Sequence, residues 1–247
     1  MARHGTGAPQ RTASATTSWR PVALAVLVLA VSNFATNRLL PDWAYVPWGI
    51  GIVVVLLAIA AWDRCGPDEL GLGRATWGSG FRLGGAVFAA VLAGYLIALA
   101  IPATREFFDD ARVRDAGTGE FLYQVIVRIP VGTVLVEELA FRGVLLALLM
   151  RRTTVRWAVL ASSALFGLWH VLPAIGIEEA NPLLADWLGA GIGPVLAVVG
   201  AVLGTTAAGL VFCWLRLRSA SLLAPVLLHV ATNSLGFAVS WVYLHLR

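Results

Sequence analysis

The twenty residues Trp43–Trp62, WAYVPWGIGIVVVLLAIAAW, carry no charge and are bracketed by Asp42 and by Asp63-Arg64. At 1.5 Å per residue a helix of that length spans ~30 Å, the thickness of the hydrocarbon core of a bilayer. Working outward, similar apolar stretches run from Pro21 to about Leu40, Gly78 to Ile101, Phe121 to Met150, Val155 to Leu172, Pro194 to Leu215 and Ser219 to Leu244. The expected fold is all-α, a polytopic transmembrane bundle of about seven elements, or eight if residues Pro182 to Gly193 add a short re-entrant segment. The run from Phe121 is too long for one straight crossing, and Pro130 with Gly132 predicts a kink or break within it.

Composition agrees. Of the 247 residues 59% are hydrophobic and 13% charged, with a mean hydropathy of +0.80, whereas soluble domains carry close to a quarter charged residues. So little charge cannot cover a water-soluble surface of this size, and the lipid bilayer takes up the apolar faces. The chain has no lysine, and its net charge of +4 comes from arginine. The arginines stand at span ends and form no contiguous patch, which argues against a nucleic-acid partner.

With the N-terminus in the cytoplasm, eleven arginines (Arg3, Arg11, Arg20, Arg64, Arg74, Arg82, Arg151, Arg152, Arg156, Arg216, Arg218) fall inside and five (Arg38, Arg105, Arg112, Arg114, Arg247) outside. That asymmetry sets the expected orientation in the cell membrane. Residues 1–18 read as a disordered cytoplasmic tail and 19–247 as a single transmembrane domain. The competing reading of span one as a cleaved signal peptide rests on the small residues Ala30-Val31-Ser32. Cys65 and Cys213 match no disulfide or metal spacing. Gly80 with Gly84, and Gly200 with Gly204, have the spacing that lets membrane helices approach closely.

Ionisable groups deep in a span are costly and mark function by default. Arg128, Glu137, Glu138 and Arg142 lie in span four, His170 in span five and His229 in span seven. Glu138 and Arg142, four apart, share a helix face and are expected to pair. Glu137 points ~100° away and lacks that partner. A desolvated carboxylate of this kind is suited to take a proton from water. A purely structural alternative pairs both acids with Arg142 and Arg128. Phe166 and His170, and His229 and Asn233, are further i, i+4 pairs. His229 with Asn233 offers donors suited to an oxyanion, or else interhelical hydrogen bonds. Counted from the flanking arginines, Glu137 and His170 lie ~21 Å and His229 ~16 Å from the cytoplasmic ends of their helices, so three helices bring these groups to nearly one level.

The ordered trio Glu137-Glu138-x-x-x-Arg142, Phe166-x-x-x-His170 and His229-x-x-x-Asn233 resembles the CPBP intramembrane proteases, which include the type II CAAX prenyl endopeptidases and the bacterial ABI (bacteriocin-immunity) proteins. Ser221-Leu222-Leu223-Ala224-Pro225 is similar to the lead-in of the family's last motif. The protease-like motif region falls within 121–244. The resemblance implies Glu137 as the base activating water with help from His170, His229 and Asn233 stabilising the oxyanion, and Glu138 and Arg142 in support. The implied partner is a membrane-associated protein or peptide substrate. The mechanism branches at the metal. Glu137, His170 and His229 also read as a Zn2+ shell, but there is no HExxH motif and Asn is a poor zinc ligand, so the expectation is a glutamate mechanism without a cofactor. A non-enzymatic immunity or scaffold protein is the rival class.

Overall fold

A computed structural model describes residues 18–176 and 191–245. The N-terminal tail up to residue 17, and nearly all of the candidate re-entrant segment 182–193, lie outside the described residues. Among the described residues the architecture is a helical membrane bundle without strands. It comprises α1 (Arg20–Arg38), α2 (Tyr45–Trp62), α3 (Trp77–Ala100), α4 (118–150), α5 (Val155–Trp169), α6 (Gly193–Ser219) and α7 (Leu223–His245). These correspond to the seven expected spans. Pro21 and Pro194 stand in the first turns of α1 and α6, where a missing N–H costs nothing.

Five of the seven (α1, α2, α3, α6 and α7) are long and apolar enough to cross a membrane. Trp43, Val54, Leu96, Leu203 and Trp214 are exposed on the outside of the bundle, an arrangement that lipid accommodates and water does not.

The bundle is built around α4. Residues 140–149 are buried all round, with Phe141, Leu145 and Leu148 packed in one cluster with Leu29 of α1, Leu56 and Ile59 of α2, Phe166 of α5 and Phe212 of α6. A helix apolar on every side belongs at the centre of an assembly, and this one carries Glu137, Glu138 and Arg142 with it. At Pro130 the helix continues without a break. Gln124–Leu135 and Leu139–Leu145 are wound as wide π-helical turns on either side of Val136–Glu138. Proline has no N–H and its ring crowds the preceding turn. Here wider winding, not a break, absorbs that conflict. Bare Gly132 and Gly49 admit α2 against this stretch, since a Cβ at Gly132 would meet the Tyr45 ring at 2.9 Å and one at Gly49 would meet Val136 at 2.9 Å.

The two expected glycine contacts divide. Gly80 and Gly84 bring α3 onto the start of α7, where added Cβ atoms would fall 2.5 Å from Ser221 Oγ and 2.8 Å from Leu227. Gly200 and Gly204 face nothing within 4 Å. The close approach of α5 and α6 uses Gly167, against Thr206 and the Val202 carbonyl, and Gly209, against Ser163.

One end of the bundle is tied by polar contacts. Asp63, just past α2, receives Arg152 through two hydrogen bonds of 2.5 and 2.9 Å, and Arg151 stands 3.5 Å away. The Arg152 guanidinium holds the Asp63 carboxyl below the usual carboxylate range. Arg216 of α6, buried, donates to the carbonyls of Glu69 at 2.8 Å and Asp68 at 3.3 Å. Leu222 N–H donates to Gly71 O at 2.8 Å, and Ser79 to Ser219 O at 2.7 Å. Gly71, at φ +75°, lies where any Cβ would strike Arg216, so only glycine fits there.

Candidate active site

Glu138 is fully buried and its Oε1 takes two partners, Arg142 Nη1 at 3.1 Å on the next turn of α4 and His229 Nδ1 at 2.8 Å from α7. The expected pairing with Arg142 is therefore present. The bond to His229 was not anticipated, because nothing in the local sequence of either residue points to the other. The Arg142 guanidinium is held among rings, its Cζ 3.9 Å from the centroid of Phe166 and 4.7 Å from that of Phe212. Phe212 in turn stacks on the His229 imidazole at 4.9 Å. Cation and aromatic faces attract, so charge and ring stacking together fix the orientation of His229.

Glu137 is 6% exposed. Its Oε1 accepts from the Trp169 indole at 3.1 Å, and its Oε2 has no hydrogen-bond partner and stands 3.9 Å from His229 Nε2. Trp169 is a residue that sequence reading passed over, although a tryptophan deep in a span needs an acceptor for its N–H. Its carbonyl accepts from Asn33 Nδ2 of α1 at 2.6 Å, so the first helix also reaches the site.

His170 does not continue α5 as expected. The helix ends at Trp169, His170 takes φ −87° and ψ 1°, and a separate turn Val171–Ala174 follows. With 15 residues, α5 spans ~22 Å and stops short of a full crossing. The His170 ring packs edge-on to Phe166 at 4.6 Å, and its Nδ1 lies 2.8 Å from the Phe166 carbonyl.

His170, His229 and Asn233 share the wall of a cavity of about 980 Å3, to which Phe166, Thr205 and Arg128 also contribute. Residues between α3 and α4, among them Phe108 and Val113, line it as well. Asn233 lies in a π-helical turn, Ala231–Leu235, one turn beyond His229, and Thr232 donates to its Oδ1 at 3.2 Å. Glu137 sits behind this wall, beside His229. A smaller apolar cavity of about 220 Å3 between α1 and α5 touches the other side of Trp169. Arg128 makes no ion pair with either acid. It lies over the Tyr45 ring at 4.4 Å, against the alternative in which it neutralises one of them.

A catalytic zinc needs three protein ligands converging at ~2 Å. Among the described residues no three His, Cys, Asp or Glu side chains are grouped so as to hold a metal ion, and the trio Glu137, His170 and His229 is not so arranged.

Fold and site together define an integral membrane protein of the helical class, with a carboxylate–histidine cluster at the wall of an intramembrane cavity. Residues 119–235, just under half of the chain, match the model of the family described as Rce1-like, type II CAAX prenyl endopeptidase Rce1-like, which supports the CPBP, or CAAX protease, family. The family supports an intramembrane CAAX-type protease acting on membrane-associated proteins in a bilayer. No curated protein and no solved structure matches the chain.

Proposed function

We propose that the chain is an intramembrane endopeptidase in which Glu137 activates water, acting on the C-terminal region of a lipid-modified, membrane-associated substrate. The observation that carries this reading is the approach of Glu137 Oε2 to His229 Nε2 beside a cavity that also presents His170 and Asn233. In the reaction Glu137, assisted by His170, takes a proton from water as its oxygen adds to the scissile carbonyl carbon. The negative charge that develops on the carbonyl oxygen is met by Asn233 Nδ2 and by His229 Nε2. The tetrahedral intermediate collapses as the C–N bond breaks, and the proton held by Glu137 passes to the departing amine. No step runs through a metal.

The direct test is cleavage by the purified chain, in lipid nanodiscs, of a peptide ending in S-farnesyl-cysteine followed by three apolar residues. Asn233→Ala is expected to lower kcat roughly 10² to 10³-fold with little change in KM, as for other oxyanion donors. A folded wild-type chain that cleaves neither this peptide nor unmodified membrane peptides would favour the immunity or scaffold reading.

A further inference from the structure

The π-helical turn Ala231–Leu235 carries Asn233 into the cavity wall. A π turn pairs each N–H with the carbonyl five residues back, and α7 returns to α winding at Gly236. Where the pairing shortens from five residues to four, one carbonyl is passed over and needs a donor from outside the helix. Thr232 O has such a donor, the Tyr95 hydroxyl of α3 at 2.9 Å. Wide turns of this kind gather at functional sites, and this one is braced from a neighbouring helix.

Tyr95 is built into its place. It lies about three turns after Gly84 on the same face of α3, the face that Gly80 and Gly84 bring against α7. Its ring packs edge-on to Phe108, with centroids 6.0 Å apart. Bare Gly236 leaves room for the hydroxyl, since a Cβ there would fall 3.0 Å from the oxygen and 3.7 Å from the ring carbon that bears it. The next link is the Thr232 side chain, whose hydroxyl donates to the His229 carbonyl at 3.0 Å and shares that proton with Asn233 Oδ1 at 3.2 Å. With Oδ1 so engaged, Nδ2 is the end of the amide that serves a substrate oxygen.

We propose that Tyr95 is a positioning residue: through the Thr232 carbonyl it fixes the turn that aims the Asn233 amide at the developing oxyanion. This rests on the reading of Asn233 as an oxyanion donor. It adds to the machinery a side chain from α3, a helix outside the family match at 119–235, that acts through Asn233.

Two measurements test it, one of them independent of turnover. The sequence holds four asparagines, so isotope-labelled asparagine gives few side-chain amide resonances, and Asn233→Ala assigns the one of interest. In Tyr95→Phe, which removes the hydroxyl alone, the Asn233 amide resonance is expected to shift or broaden while those of Asn33 and Asn37 stay. Cleavage of the farnesylated peptide should fall roughly 10-fold in kcat with KM little changed. The same substitution in an Asn233→Ala background should cost nothing further, because the group it positions is gone. Gly236→Ala, whose methyl displaces the hydroxyl, should reproduce both effects and add nothing to Tyr95→Phe. An Asn233 resonance unmoved in whichever of the two variants folds overturns the proposal. So does a kcat loss of equal size with and without Asn233. A resonance that moves, with no cleavage by the wild-type chain, would uphold the link from Tyr95 to Asn233 and sink the protease reading. An unmoved resonance beside normal wild-type cleavage would do the reverse.

Discussion

Glu138 and His229, 91 residues apart in sequence, are joined by a 2.8 Å bond between Oε1 and Nδ1 inside the bundle. The acid that balances Arg142 is thus also the acid that aims the histidine, and stability and chemistry meet in one side chain.

The two neighbouring glutamates should therefore respond differently to amidation. Glu138→Gln leaves Arg142 buried without its counter-charge, a change that costs roughly 3–5 kcal/mol, and it also weakens the hold on His229. Loss of monodisperse folded protein in detergent is expected. Glu137→Gln keeps shape and removes the base, so the fold should persist while cleavage ceases. Equal loss of folded protein in both variants would assign the whole motif a structural role.

Trp169→Phe retains a ring against Phe141 but removes the indole donor to Glu137. If that bond positions the carboxylate, kcat should fall by roughly tenfold or more, the scale of a hydrogen bond to a charged group. KM and thermal stability should change little. The pH dependence of kcat/KM should shift as well, a readout that loss of packing alone does not move. An unaltered kcat and pH profile would remove Trp169 from the machinery.

At the tied end, Asp63 has its carboxyl held below the usual range by Arg152. A lowered carboxyl means that the unfolded chain binds the proton more readily. The stabilisation is thus fully present above about pH 4 and is lost as pH falls through the lowered value. Asp63→Asn should reduce stability at pH 7 by roughly 1–3 kcal/mol. The difference in Tm from the wild type should shrink below pH ~4. A difference that stays constant down to pH ~2 would show that the loss is not electrostatic.

Metal content separates the two chemistries that the sequence leaves open. Purified protein is expected to hold clearly substoichiometric zinc, and cleavage should survive a strong chelator. Stoichiometric zinc by elemental analysis, lost together with activity in His170→Ala and restored by added metal, would overturn the metal-free mechanism.

The spans were legible because length and hydropathy alone decide them in lipid, and Glu138 with Arg142 was legible because i, i+4 spacing fixes their face. Contacts between helices were not. Glu138 with His229, and Glu137 with Trp169, depend on how α4, α5 and α7 rotate against one another, which no local pattern encodes. The end of α5 at Trp169 was hidden for a related reason, since the apolar run continues through Leu172 and carries no stop signal. Counting depth at a uniform 1.5 Å per residue also ignored the wide turns of α4, a winding that only packing around Pro130 reveals.

The latch of Arg216 onto the Asp68 and Glu69 carbonyls has a mechanical meaning. Together with Leu222 on Gly71 and Arg152 on Asp63, it ties the connection after α2 to the turn between α6 and α7 and to the end of α4. Spreading the helices at that end breaks all of these bonds at once, while the end near Phe108 and Val113 is tied by Trp241 Nε1 on the Ala116 carbonyl at 2.7 Å and by the Phe121–Trp241 ring stack. The connection after α2 therefore moves only as one piece with the α6–α7 turn and the end of α4.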